Sequence, residues 1–163
     1  MNEQQKIKAR ELAIALSHRY ADLSEVRNWS DSQIASSDKP DMAFIDLSLS
    51  QNSSEALSLL NALSEGINIW LVMPCFLSRF CSLTSTPPDE ALRLAEYLYY
   101  VSIKEDAPAR FRGFVSHWDA IGLAIEGIYG EPDGCIRDFL KDVRHAADCD
   151  EWGNQIQPLG SKT

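Results

Sequence analysis

Residues 110–129 carry the clearest periodicity in the chain. Phe111, Phe114, Val115, Trp118, Ile121, Ile125 and Ile128 fall on one stripe when read at helical spacing. A stripe of that length predicts a helix across 110–129 with these residues inside, stopped by Gly130 and Pro132. Gly113, Gly122 and Gly127 weaken it, each by about 1 kcal/mol relative to alanine. Asp133 to Ala147 predicts another helix, with Ile136, Phe139, Leu140 and Val143 inward.

The same period recurs upstream. Ala9, Leu12, Ala13, Leu16 and Tyr20 predict an N-terminal helix, with Lys6, Lys8 and Arg10 mostly off the stripe. A second, shorter helix is capped by Ser24 or by Ser30, where Ser30 and Gln33 have the capping-box form, and Trp29 and Ile34 anchor it. Pro40 ends that unit. Residues 44–50 read two ways: Ile45, Leu47 and Leu49 alternate with polar residues as in a short extended segment, while Met42, Ile45 and Leu49 are spaced for a helical turn. The helical turn is preferred because no partner strand is evident elsewhere.

Ser53 or Ser54 caps a leucine-rich helix with Ala56, Leu59, Leu60 and Leu63 inside and Gly66 as its stop. Residues 67–83 are apolar nearly all round, which predicts a central buried element interrupted at Pro74, with Trp70, Leu77 and Cys81 on one face. Thr86 followed by Pro87, Pro88, Asp89 and Glu90 marks a helix start, and Leu92, Ala95 and Tyr99 form the inner face of that helix. The fold class expected is all-α, an irregular bundle or array of six to seven helices. Residues 1–149 are read as a single helical domain and 150–163 as a flexible C-terminal tail, with Trp152 an anchor for a partner or for the body itself.

Composition narrows the function classes. The net charge is −9, and it is uneven: residues 1–29 balance at +1, 30–108 at −7 and 109–163 at −3. Such a chain repels phosphate backbones, which disfavours nucleic acid, and attracts basic partners. The N-terminal sequence lacks the form of a signal peptide, and the apolar run Ile69 to Leu77 is too short to cross a bilayer, so a cytoplasmic protein that does not engage the membrane is expected. The cysteines Cys75, Cys81, Cys135 and Cys149 form no CxxC pair and read as reduced thiols, with Cys75 and Cys81 as small core hydrophobes.

Motifs for chemistry are sparse. His145 and Cys149 have the spacing of two metal ligands but no second pair accompanies them. Asp119 and Glu126 share one helical side, as do Asp138 and Asp142, yet no Glu-x-x-His motif completes a dimetal site. His117 reads as a surface or half-buried histidine, and no G-x-S-x-G elbow or phosphate-cradling glycine loop is present. No cofactor, metal or catalytic residue is assigned.

The stretch Asn28-Trp-Ser-Asp-Ser-Gln-Ile34, followed by Lys39-Pro-Asp-Met-Ala-Phe-Ile-Asp-Leu-Ser-Leu-Ser50 and a Ser-capped leucine-rich helix, resembles the front half of some small bacterial immunity proteins. The resemblance covers about a third of the chain and carries over no binding residue. It implies an acidic, cytoplasmic helical protein that neutralises a toxin, and it agrees with the charge argument, since an acidic surface steers toward a basic toxin domain. On that reading Glu105, Asp106, Asp119, Glu126, Glu131 and Asp133 form the contact surface. A helical adaptor or regulatory subunit, and a small metal-dependent enzyme using helix carboxylates, are the alternatives.

Overall fold

The computed structural model describes residues 1–147. The expectation of an all-α chain holds: eight α-helices and one short 3-10 helix occur, with no strand among the described residues. In chain order these are α1 (Glu3–Ser17), α2 (Leu23–Ala35), α3 (Met42–Ser48), α4 (Ser53–Leu63), α5 (Ile69–Ser78), α6 (Pro88–Ser102), the 3-10 helix Ala109–Phe114, α7 (Val115–Ile125) and α8 (Pro132–Ala147). The sequence reading sets no boundary within residues 1–149, whereas contacts cluster into two compact units that divide after Phe76, within α5.

In the first unit α1 packs on α4, and α2 packs on α3. Helix α1 starts at a capping box in which Asn2 Oδ1 accepts from the Gln5 amide at 2.9 Å and Gln5 Oε1 accepts from the Asn2 amide at 2.8 Å. Ala9, Leu12, Ala13 and Leu16 of its expected stripe are buried, whereas Tyr20 lies beyond the helix and is half-buried; Ile7, Glu11, Ile14 and Ala15 are buried too, so the helix is covered all round from Glu11 to Leu16. Glu11 is 1% exposed, and its carboxylate takes an ion pair at 2.7 Å from Lys8, whose side chain stays partly in solvent. Burying a carboxylate without such a partner would be prohibitive. The core is Leu12, Leu16, Val26, Leu47 and Leu60 with the alanines between them, and Trp29 packs against its edge.

Helix α2 departs from its expected start. Asp22 is the cap, accepting from the Glu25 amide at 2.9 Å, rather than Ser24 or Ser30. The Ser24 hydroxyl donates to the Asp22 carboxylate, and that bond, followed by the Glu25 amide, holds the Asp22 carboxyl below the ordinary aspartate range. Ser30 is instead a fully buried residue within the helix, and its hydroxyl donates to the Phe44 carbonyl of α3. Trp29 meets Phe44 edge-on at 5.4 Å. The short extended segment considered near 44–50 is not formed, because Asp41 caps the helix through the Ala43 amide. The face also differs from the helical alternative: Phe44 and Leu47 are buried, while Met42 and Leu49 are exposed.

Helix α1 ends on a left-handed residue that is not glycine. Arg19 has φ 63°. Its amide donates to the Leu16 carbonyl at 3.3 Å, and the Tyr20 and Ala21 amides both donate to the Ala15 carbonyl at 2.7 and 3.1 Å. That pattern is a Schellman closure, which satisfies carbonyls the helix leaves open. Tyr20 then lies edge-on to Phe76 at 6.2 Å.

The apolar element around Pro74 is buried in large part. Trp70, Val72, Met73, Phe76 and Leu77 are core residues of α5, which contains Pro74. Cys75, however, is exposed and Cys81 half-buried, so the expected core role fails for the first and is only partial for the second. In the second unit α6 packs on α7 and α8, and α7 packs on α8. Helix α6 has no side-chain cap; Thr86 donates to the Glu90 carboxylate at 3.1 Å instead of capping the helix. Its most buried face is Ala91, Leu94, Ala95 and Leu98; Ala95 is as expected, while Leu92 and Tyr99 are half-buried at the edge of that face, Tyr99 with its ring 4.9 Å from Trp118 of α7. Phe111, Phe114 and Phe139 form an aromatic core, with Phe114 edge-on to Phe139 at 6.0 Å. The inward residues expected for α8 are all buried.

Candidate functional site

The helix expected across 110–129 is two elements. Residues 109–114 wind as a 3-10 helix and α7 begins at Val115, so the stripe does not continue as one ridge. Phe111, Phe114 and Ile121 are core. Val115, Ile125 and Ile128, expected inside, are exposed at 38%, 43% and 65%. This is the largest correction to the sequence reading, and it falls where the candidate contact residues lie.

For Ile128 the reason is the end of α7. Gly127 has φ 69°, a backbone state that favours glycine. Its amide donates to the Ala124 carbonyl at 3.1 Å, and the Ile128 and Tyr129 amides both donate to the Leu123 carbonyl at 2.9 and 3.3 Å. This second Schellman closure turns the chain before Ile128, which therefore leaves the stripe. The motif places the residue after the left-handed glycine beside the residue five earlier, here Ile128 beside Leu123. Both are exposed, Leu123 at 40%, and Tyr129 is exposed at 73%. Gly130, also left-handed at φ 76°, completes the turn into α8.

All six candidate acids are exposed. Glu105 and Asp106 lie in the loop after α6, ahead of the 3-10 helix. Asp119 is on α7, Glu126 caps its C-terminal end, Glu131 ends the turn and Asp133 lies in the first turn of α8. Glu126, Glu131 and Asp133 thus follow the C-terminal end of α7, a helix about 16 Å long, and Asp119 lies within it, while the 3-10 helix separates Glu105 and Asp106 from its start. They do not converge on one pocket. Asp133 borders a cleft of about 560 Å³ whose other walls are Thr84, Ser85, Thr86, Pro87, Ile136 and Arg137. An acid and an arginine at its rim, with hydroxyls between, make a mixed polar cleft rather than a carboxylate-lined one.

His117 is half-buried between Phe114 and Phe139, and its Nε2 lies 2.8 Å from an Asp142 carboxylate oxygen. Asp142 thus has His117 as its partner, on a different helix from Asp138, its expected companion. Among the described residues no group of three or more His, Cys, Asp or Glu side chains is arranged to hold a metal ion. His145 is exposed on α8. Its proposed companion Cys149, Trp152 and the tail 150–163 lie outside the described residues. No helix among the described residues is long and apolar enough to cross a membrane.

Sequence reasoning missed the exposed apolar residues Leu123 and Tyr129 altogether. The signal was present: glycines at 127 and 130 bracket Ile128 and Tyr129, which marks a turn rather than a helix interior. Compared with protein-family models, with curated proteins and with solved structures, the chain matches none.

Proposed function

We propose that the chain is a non-catalytic acidic binding protein that neutralises a basic protein partner, as an immunity protein neutralises a toxin domain, and that it acts in the cytoplasm. One observation carries the reading: between Gly113 and Ile136 the sequence places Asp119, Glu126, Glu131 and Asp133 and no lysine or arginine, and these acids are all exposed. A run of like charge with no internal counter-charge projects a field that accelerates encounter with a basic surface and repels acidic ones. Glu105 and Asp106 lie among Lys104, Arg110 and Arg112, so that segment carries acids with counter-charges beside them.

The test is a pull-down from the native host, read against the genes beside this one. Capture of a basic toxin domain encoded nearby, weakening steeply with salt, supports the reading. No such gene and no basic partner would sink it. A helical adaptor is the second reading, favoured by the exposure of Ile128 and Tyr129 at 65% and 73%. Adjacent exposed apolar side chains are the start of the kind of contiguous patch by which an adaptor binds. An adaptor would bind with little dependence on salt.

A further inference from the structure

We propose that the outward side of α7, with the turn behind Gly127, is a docking face for a cationic amphipathic helix. The proposal rests on the reading of these acids as a binding surface, and adds what kind of partner element it takes. Val115, Asp119, Leu123 and Glu126 recur at spacings of four, four and three, which places them on one side of the helix. All of them are exposed, and apolar and acidic residues alternate along that side. Val115 to Glu126 spans about 16 Å, or about three turns of a helix laid alongside.

The far end of this side is fixed. The Schellman bonds fix the backbone of Ile128 to the Leu123 carbonyl at the end of α7, so two exposed apolar residues are positioned there before any partner arrives. A rigid backbone loses little freedom on binding. A helix with apolar residues every three or four positions and lysines or arginines flanking them complements this side in both respects. Charge also disfavours the other occupants. A second copy would bring Asp119 and Glu126 against like charges, and the chain's own segment 148–163 carries Asp148, Asp150 and Glu151 against Lys162 alone.

The experiment uses the full chain and a labelled synthetic peptide of lysine and leucine patterned as an amphipathic helix, with a scrambled peptide of the same composition as its companion. The patterned peptide should bind at least about tenfold more tightly than the scrambled one. Joint Ile128→Ser and Tyr129→Ser substitution should remove about that factor at low and high salt alike. Joint Asp119→Asn and Glu126→Gln substitution should flatten the salt dependence. Equal binding of the two peptides would overturn the docking face and leave the acidic-surface reading standing. Binding of neither peptide at low salt would overturn both. Self-association abolished by Ile128→Ser would assign the face to a second copy, and a tenfold gain in peptide binding on Trp152→Ser would assign it to the chain's own tail; either result would overturn the proposal.

Discussion

Helix α1 closes at Arg19 and helix α7 closes at Gly127, both left-handed, at φ 63° and 69°. The bonds match: in each, one carbonyl, that of Ala15 or of Leu123, accepts the amides of the two residues that follow the left-handed one. The side chains do opposite things. Ala15 is fully buried and Tyr20 is folded against Phe76, whereas Leu123, Ile128 and Tyr129 stand in solvent. The same backbone device therefore serves packing in one unit and display in the other. The residue at the turn fits each role: Arg19 holds a left-handed state that strains any side chain, and a packed neighbour opposes that strain, while Gly127 holds its state without strain.

Four substitutions would sharpen or break this contrast. Phe76→Ala removes a fully buried ring and the surface on which Tyr20 rests, and should lower stability by about 3–5 kcal/mol in denaturant unfolding. An effect near zero would mean that the Tyr20 turn is not packed as described. At the left-handed positions the signs should be opposite: Gly127→Ala should cost about 1–2 kcal/mol, since open space around it leaves only backbone strain, while Arg19→Gly should stabilise by about 1 kcal/mol. Like signs in thermal melts would erase the distinction. Ile128→Ser should change stability by no more than about 0.5 kcal/mol, because the side chain is already in water. A large loss would show that this turn is packed after all.

The smallest effect concerns pH. Asp22, which caps the helix that follows the Arg19 turn, has its carboxyl pKa lowered, first by the Ser24 hydroxyl and then by the Glu25 amide. A group lowered in the folded state contributes stability above its unfolded pKa and loses it as pH falls through the folded one. Asp22→Asn keeps a capping side chain but cannot titrate, so acid unfolding of the variant should lack that small component. Identical acid profiles would show that the Asp22 charge adds no stability beyond the cap that asparagine also makes.

How much of this was legible depends on what periodicity can encode. It reports that residues share a side of a helix, which is why α1, α4 and α8 are legible near their true positions. It does not report what covers that side. Ile125 and Ile128 continue the spacing of Phe111 and Phe114 in sequence, yet the switch from 3-10 to α at Val115 and the turn at Gly127 move them out of register with the core. Conversely Glu11 reads as polar and lies buried, because Lys8 neutralises it locally. Asp22 outcompetes Ser24 and Ser30 as a cap, a choice among adjacent polar residues that propensity alone does not rank. For the acids, exposure follows from the desolvation a carboxylate would suffer, so it was foreseeable; the apolar residues between them were not.

The burial of α1 from Glu11 to Leu16 has a consequence for synthesis. Helix α1 emerges before its partner α4, which begins only at Ser53, so α1 must wait while about 35 residues follow it from the ribosome. In the second unit α6, α7 and α8 each pack on the next in line, and contacts between near neighbours form early. A nascent chain stalled before α4 would leave α1 without its main cover, a window in which a chaperone, rather than the rest of the molecule, shields it.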